Sequence, residues 1–148
     1  MASAKSTSID NKTVAAILNH ILELELAGVV RYLHYSFMVF GYTRIPIVSW
    51  LRAQADESKL HAIEAGEKIT SLGAHPSLSI GPLLETHKHD VDSILREAAA
   101  HEREGLGQYR ALLAAVTGKD VRLEEYARKM IAEEEEHTCE VEKMLRRG

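Results

Sequence analysis

Four long stretches of helical hydrophobic period, each carrying a carboxylate where apolar residues are expected, constrain this chain more than any other feature. From about residue 9 to 40 the positions Val14, Ile17, Leu18, Ile21, Leu22, Leu24, Val29, Leu33 and Phe37 recur at helical spacing, and Glu25 lies among them. Burying an ionised carboxylate without a partner costs several kcal/mol, so an acid in that place calls for donors or a cation. Tyr32 follows seven residues later, two helical turns on, and shares its face. Asp10 or Asn11 is suited to cap this helix, and Gly41 to end it.

The second stretch runs from Pro46 to Leu72, with Gly73 as its stop and Trp50, Leu51, Ile63 and Ile69 as apolar anchors. At its centre Glu57 and His61 stand four apart, so both face one way. The breakers Gly73, Pro76, Gly81 and Pro82 then mark a long connection, which lets the third helix run parallel to the second. That helix is expected from Leu83 or Thr86 to about Val116 and repeats the first pattern, with Glu102 followed seven residues later by Tyr109. His87, His89 and His101 fall on it and are assigned no role. The fourth helix opens at the N-cap residue Asp120 and runs to Arg146, where Arg146 and Arg147 complement its dipole. Near its end Glu134-Glu135-Glu136-His137 places an acid and an imidazole three apart on one face. Eleven residues follow His137, too few for a useful fifth helix.

The expectation is an all-α, antiparallel four-helix bundle with one long crossover between helices two and three and no fifth helix. Residues 1–148 make one domain, with 1–8 disordered. No apolar run approaches the roughly 18 residues of a membrane span, and the N-terminus lacks the apolar region of a signal peptide. The single Cys139 has no internal partner, which suits a reducing, cytoplasmic setting. The net charge is −4 and the N-terminal arm offers only Lys5 and Lys12, so neither a nucleic-acid nor a membrane partner is expected.

An acid and then an acid–His pair, twice over, is the ligand set of a di-metal carboxylate bundle. Here it reads Glu25, Glu57 with His61, Glu102, and Glu134 with His137. Four carboxylates would balance two divalent cations, so the buried site is neutral only when loaded. Mixed oxygen and nitrogen ligation suits Fe(II), with Mn and Zn as substitutes. Met38 reads as a core residue.

Glu25-Leu26, Arg31-Tyr32-Leu33-His34, His61-Ala62, Leu72-Gly73-Ala74-His75-Pro76 and Glu134-Glu135-Glu136-His137 together resemble the ferritin superfamily, and bacterioferritin within it. The resemblance covers nearly the whole chain. It implies two iron ions per chain, oxidation of Fe(II) by O2 or peroxide, and iron storage or detoxification by a homo-oligomer, from a dimer up to a hollow shell. It places Glu25, His61, Glu102, Glu134 and His137 on the family's motif. Tyr32 and Tyr109 would hydrogen-bond the ligand carboxylates.

This sequence departs from the motif in helix two, where Ser58 stands three before His61 and the acid lies one place earlier, at Glu57. Either Glu57 shares the metal from i,i+4, or a one-residue π-bulge restores the register. Bacterioferritins that bind haem between subunits use a Met just after that acid; Ser58 and Lys59 stand there instead, so no haem is expected. The competing reading is a non-storage di-iron enzyme, of oxygenase or peroxidase type, on the same bundle. A mini-ferritin that protects DNA is disfavoured by the missing basic tail.

Overall fold

A computed structural model describes residues 8–83 and 85–146. Of residues 1–8, expected to be disordered, 1–7 fall outside the described residues, as does the dipole role of Arg147. Among the described residues there are four helices: α1 (Asn11–Met38), α2 (Arg44–Ser71), α3 (Val91–Val116) and α4 (Val121–Leu145).

Local chemistry sets their ends. Asp10 accepts from the Lys12 and Thr13 backbone N–H groups, and Asp120 from that of Leu123, so two capping expectations hold. Helix α1 stops at Met38, short of Gly41, which instead forms the turn at φ +93°. The Arg44 guanidinium donates to the carbonyl oxygens of Ser36 and Val39, satisfying acceptors that the helix end leaves open. Gly73 follows α2 at φ +75°, as its role as a stop requires.

The start of α3 differs from expectation. It begins at Val91, after Asp90 accepts from the Ser93 N–H, so His87 and His89 lie in the crossover and not on the helix. His87 itself takes φ +59°. The crossover is laid along α1. The Asn19 side chain donates to the His75 carbonyl and accepts from the Ser77 N–H. Gly81 N–H donates to the Glu23 carbonyl at 2.8 Å, and Arg31 to that of Pro82 at 2.9 Å. A Cβ on Gly81 would stand 3.2 Å from that Glu23 oxygen, so the strap lies too close to α1 for a larger residue.

Packing is antiparallel between α1 and α2, between α1 and α3, and between α3 and α4, while α2 and α3 run parallel on the diagonal. One apolar cluster joins Val14, Leu18 and Ile21 to Ile69, Leu112, Leu123 and Met130 at one end. A second joins Tyr32, Tyr35 and Val39 to Leu51, Ala55 and Ile94 at the other. The carboxylates occupy the layer between them. Ile69 is fully buried in the first cluster. Ile69→Ala should therefore cost about 2–5 kcal/mol, read as a lower denaturant midpoint at unchanged slope.

Helix α1 is long and apolar enough to cross a membrane, with an 18-residue window of mean hydropathy 1.5, contrary to the expectation from run length. Here it packs against α2 and α3 instead. Not all of its apolar surface is used inside, however. Leu33 and Phe37, expected in the core, are exposed with Val30, and so is Ile63 of α2; Met38 is half-buried.

Candidate metal centre

Between the two apolar clusters, Glu25 on α1, His61 on α2 and Glu134 on α4 converge with their ligand atoms all within 4.8 Å of one another. His61 Nδ1 lies 3.5 Å from Glu25 Oε2 and 3.6 Å from Glu134 Oε1. On the far side of Glu134 stand Glu102 of α3 and His137 of α4. Glu102 and Glu134 share a hydrogen bond. The Trp50 indole stacks on the His137 ring, with centroids 5.7 Å apart and planes within 11°. The cleft at this layer, lined by Ser58, His61, Glu102, Glu134 and His137 among others, has a volume of ≈ 10 Å³, room for about one water-sized sphere.

The tyrosines cross over. Tyr32 O–H donates to Glu102 Oε1 at 2.6 Å and stands 3.4 Å from His137 Nε2, while Tyr109 O–H donates to Glu25 Oε1 at 3.0 Å. Antiparallel packing of α1 on α3 brings each acid beside the other helix's tyrosine. Both hydroxyls are held well above their ordinary pKa, by burial first and then by the facing carboxylates, so they remain donors. A hydrogen bond to a charged group contributes about 1.5–3 kcal/mol. Tyr32→Phe should weaken metal binding about 10–100-fold, as loss of a hydrogen bond behind a ligand does. Isothermal titration with Mn(II) reads this directly.

Helix α2 is a regular α-helix throughout, so the π-bulge alternative is not what occurs. Ser58 is buried and Glu57 is turned outward, half-exposed, with its oxygen 3.8 Å from His61 Nε2. Gly28 of α1 makes room for this: a Cβ there would stand 2.9 Å from Ser58 Oγ and 3.4 Å from His101 Nε2. The structure therefore brings Glu25, His61, Glu102, Glu134 and His137 together, and leaves Glu57 at the rim. Glu133, a residue that sequence reasoning passed over, comes closer to His61 Nε2 than Glu57 does, at 3.4 Å. Its signal was available, because Glu133 and His137 are also one helical turn apart. With Nδ1 turned to Glu25 and Glu134, Nε2 faces Glu133 at 3.4 Å, where an Nε2–H can donate, the arrangement that fixes the tautomer of a metal-binding histidine.

Electrostatics argue that this layer is built for a cation. Burial raises the Glu25 carboxyl above its usual range despite help from His61 and Tyr109. Burial and then the hydrogen bond and charge of Glu102 push Glu134 up to about 12. Burial likewise opposes ionisation of Glu102, but donation from Glu134, the His137 charge and the Tyr32 hydroxyl hold it low. Of the pair, Glu134 therefore favours the protonated form and Glu102 the charged one. Glu134 Oε2 is buried with no hydrogen-bond partner. An orphaned carboxylate oxygen among three acids and two imidazoles fits a divalent ion, which would replace the proton. Glu25, His61 and Glu134 could hold one ion, and Glu102, His137 and a bridging Glu134 a second.

Comparison with known proteins follows the same line. No match is found among curated proteins. Among solved structures, the fold is similar to a ferritin-like, diiron-carboxylate protein from Bacillus anthracis str. Ames, with TM-score 0.84 and 25% identity over 93% of this chain and 98% of that one. It is similar to a dodecameric thioferritin, the bacterioferritin-related protein of Bacteroides fragilis, at TM-score 0.86 and 24% identity, covering 93% and 87%. The bacterioferritin of Rhodobacter capsulatus, described with a metal-free dinuclear site and haem iron, follows at TM-score 0.77 and 22% identity, covering 90% and 84%. The family described as the ferritin-like domain matches residues 15–148. The crossover bundle is therefore that of a ferritin-like protein, and this chain belongs to the ferritin-like domain family.

Proposed function

We propose that this chain is a ferroxidase, which oxidises Fe(II) at the layer formed by Glu25, His61, Glu102, Glu134 and His137 for iron storage or detoxification. The observation that carries this reading is Glu134. It is buried, its carboxyl is pushed up to about 12, its Oε2 has no hydrogen-bond partner, and it lies between Glu25 with His61 on one side and Glu102 with His137 on the other.

Fe(II) enters as substrate, and the Glu102–Glu134 proton leaves as the carboxylates become ligands. Two irons release one electron each, and O2 with two protons takes both to become hydrogen peroxide. Peroxide as oxidant takes two electrons and two protons to become water. The carboxylates favour the product because they bind the higher charge more strongly. Tyr32 and Tyr109 hold Glu102 and Glu25 in place from behind. Glu57 and Glu133, at the rim beside His61 Nε2, are acids that an incoming cation meets first.

The cleft of ≈ 10 Å³ leaves no room for an organic substrate, which favours this reading over an oxygenase. The exposed Val30, Leu33, Phe37, Leu60 and Ile63 give α1 and α2 an apolar outer surface. That surface supports a homo-oligomer, the state described for the thioferritin dodecamer.

An anaerobic Fe(II) titration followed by O2, with absorbance in the near ultraviolet and particle mass recorded together, tests the proposal. Two irons bound per chain, rapid oxidation, and then uptake of many more irons in a large assembly are expected. Uptake that stops at two irons in a small oligomer would overturn storage. Absence of oxidation would overturn the ferroxidase itself.

A further inference from the structure

A second constellation lies outside that centre, where the crossover passes α1. His34 Nε2, Glu85 Oε1 and His89 Nε2 all lie within 4.8 Å of one another. His89 Nε2 is 2.6 Å from Glu85 Oε1, and His34 Nε2 is 3.8 Å from the same atom. The other carboxylate oxygen meets His87 Nδ1 at 2.5 Å, so three imidazoles surround one acid. The His34 and His89 rings pack edge to face, with centroids 6.0 Å apart.

We propose that His34, Glu85 and His89 form a second metal site, for a zinc-class divalent ion, that ties the crossover to α1. Hydrogen bonding alone does not account for the cluster. His34 Nε2 is shut off from solvent and has no hydrogen-bond partner, yet it faces Glu85 from beyond hydrogen-bond distance. A ring nitrogen in that state is costly unless something between it and the carboxylate accepts its lone pair. Two imidazoles and one carboxylate with an open fourth position are a tetrahedral zinc donor set. An ion about 2.0–2.1 Å from each donor sets them roughly 3.3 Å apart. His89 would retreat from Glu85 and His34 would approach it, each by less than 1 Å on this ~3.3 Å target.

The surroundings hold the donors in place before any ion arrives. The Arg31 guanidinium donates to the Pro82 carbonyl, Thr86 N–H donates to Glu97 Oε2, and Tyr35 O–H donates to Glu97 Oε1. These bonds fix the crossover on both sides of Glu85. A cavity of ≈ 300 Å³ bordered by Val30, His34, Leu83 and Glu85 opens beside the cluster and gives the ion its path and its fourth ligand, water. His87 has one ring nitrogen on Glu85 and an exposed side chain, and it steadies the carboxylate from outside. The site is independent of the ferroxidase reading and stands or falls without it.

Co(II) titration of the full-length protein tests this, because tetrahedral Co(II) absorbs visible light far more strongly than six-coordinate Co(II). A Glu134→Ala background cuts the central layer back to incomplete sites, so that the binding lost on further replacing His34 or His89 reports the crossover site. One strongly absorbing Co(II) per chain, displaced by Zn(II), is expected. His34→Ala and His89→Ala should each weaken it at least about 100-fold, beyond the 10–100-fold of supporting partners. His89 lies on the crossover and is partly exposed, so His89→Ala leaves the bundle folded and keeps the test valid if His34→Ala does not. His20→Ala, on an exposed part of α1, should change nothing. In the otherwise native chain His89→Ala should lower total bound Zn(II) by one per chain. Unchanged Co(II) affinity in His89→Ala, or no tetrahedral spectrum in the Glu134→Ala background, would overturn the proposal.

Discussion

Replacing Glu134 by Ala should cut the initial rate of Fe(II) oxidation by about 100-fold or more, because it removes a ligand where even supporting partners matter 10–100-fold. Glu134 is the residue that both halves of the centre share. Its Oε1 lies 3.6 Å from His61 Nδ1, and its carboxyl hydrogen-bonds Glu102. Loss of that side chain leaves Glu25 with His61 and Glu102 with His137 as two incomplete sites. The metal-free variant should be at least as stable as the parent, since the deleted group is a buried acid with an orphaned oxygen. Stopped-flow oxidation and a thermal melt separate the two effects. A variant that folds, melts no lower and still oxidises Fe(II) at the parent rate would exclude this centre.

The second large effect is a pH dependence that metal removes. Glu25 and Glu134 have carboxyls raised above 4.5, by burial first. For His61, burial opposes the charge but the Glu25 hydrogen bond and charge, with Glu57 and Glu133, outweigh it and raise the imidazole above 6.5. Each raised group contributes stability that is complete below its unfolded pKa and is lost as pH rises through its folded one. Glu102 and His101 are lowered instead: the Glu102 contribution is lost in acid, below about 4.5, and that of His101, whose burial disfavours its charge, as pH falls below 6.5. Glu134, pushed up to about 12, therefore loses stability throughout pH 6 to pH 9, and His61 adds to the loss as pH rises above 6.5. Metal-free protein should melt lower at pH 9 than at pH 6, by about 2–4 °C for each kcal/mol lost. Loading with Mn(II) should flatten that slope, since the ion takes the place of the protons. Calorimetry across this range checks both curves, and equal slopes with and without metal would refute the charge assignment.

Much of the centre was legible because helical period places residues without help from tertiary structure. Glu25 and Tyr32, and Glu102 and Tyr109, share faces by spacing alone, as do Glu134 and His137. Glu57 was not settled that way. A one-residue offset is 100° of helix, and whether the helix bulges or the acid turns out depends on what faces it. Gly28 leaves space for Ser58, so the regular helix is kept and Glu57 faces solvent. The start of α3 was misplaced because residues 83–90 hold helix formers that tertiary bonds claim instead. Thr86 N–H donates to Glu97, and the Asp90 side chain accepts from the Ser93 N–H as a local cap. Asp90 ahead of an apolar period was the capping signal for the true boundary.

The sequence by itself determined four helices, their capping residues Asp10 and Asp120, the long crossover, and the acids and imidazoles that meet in the central layer. Those features depend on local period and local hydrogen bonds. Tertiary structure alone decided that Tyr32 serves Glu102 and Tyr109 serves Glu25, since only antiparallel packing of α1 on α3 creates those pairs. It also decided that Glu133 approaches His61 and that His34 meets Glu85 and His89. Each of these contacts joins residues from separate elements, and no period within one helix carries information about the side chains of another.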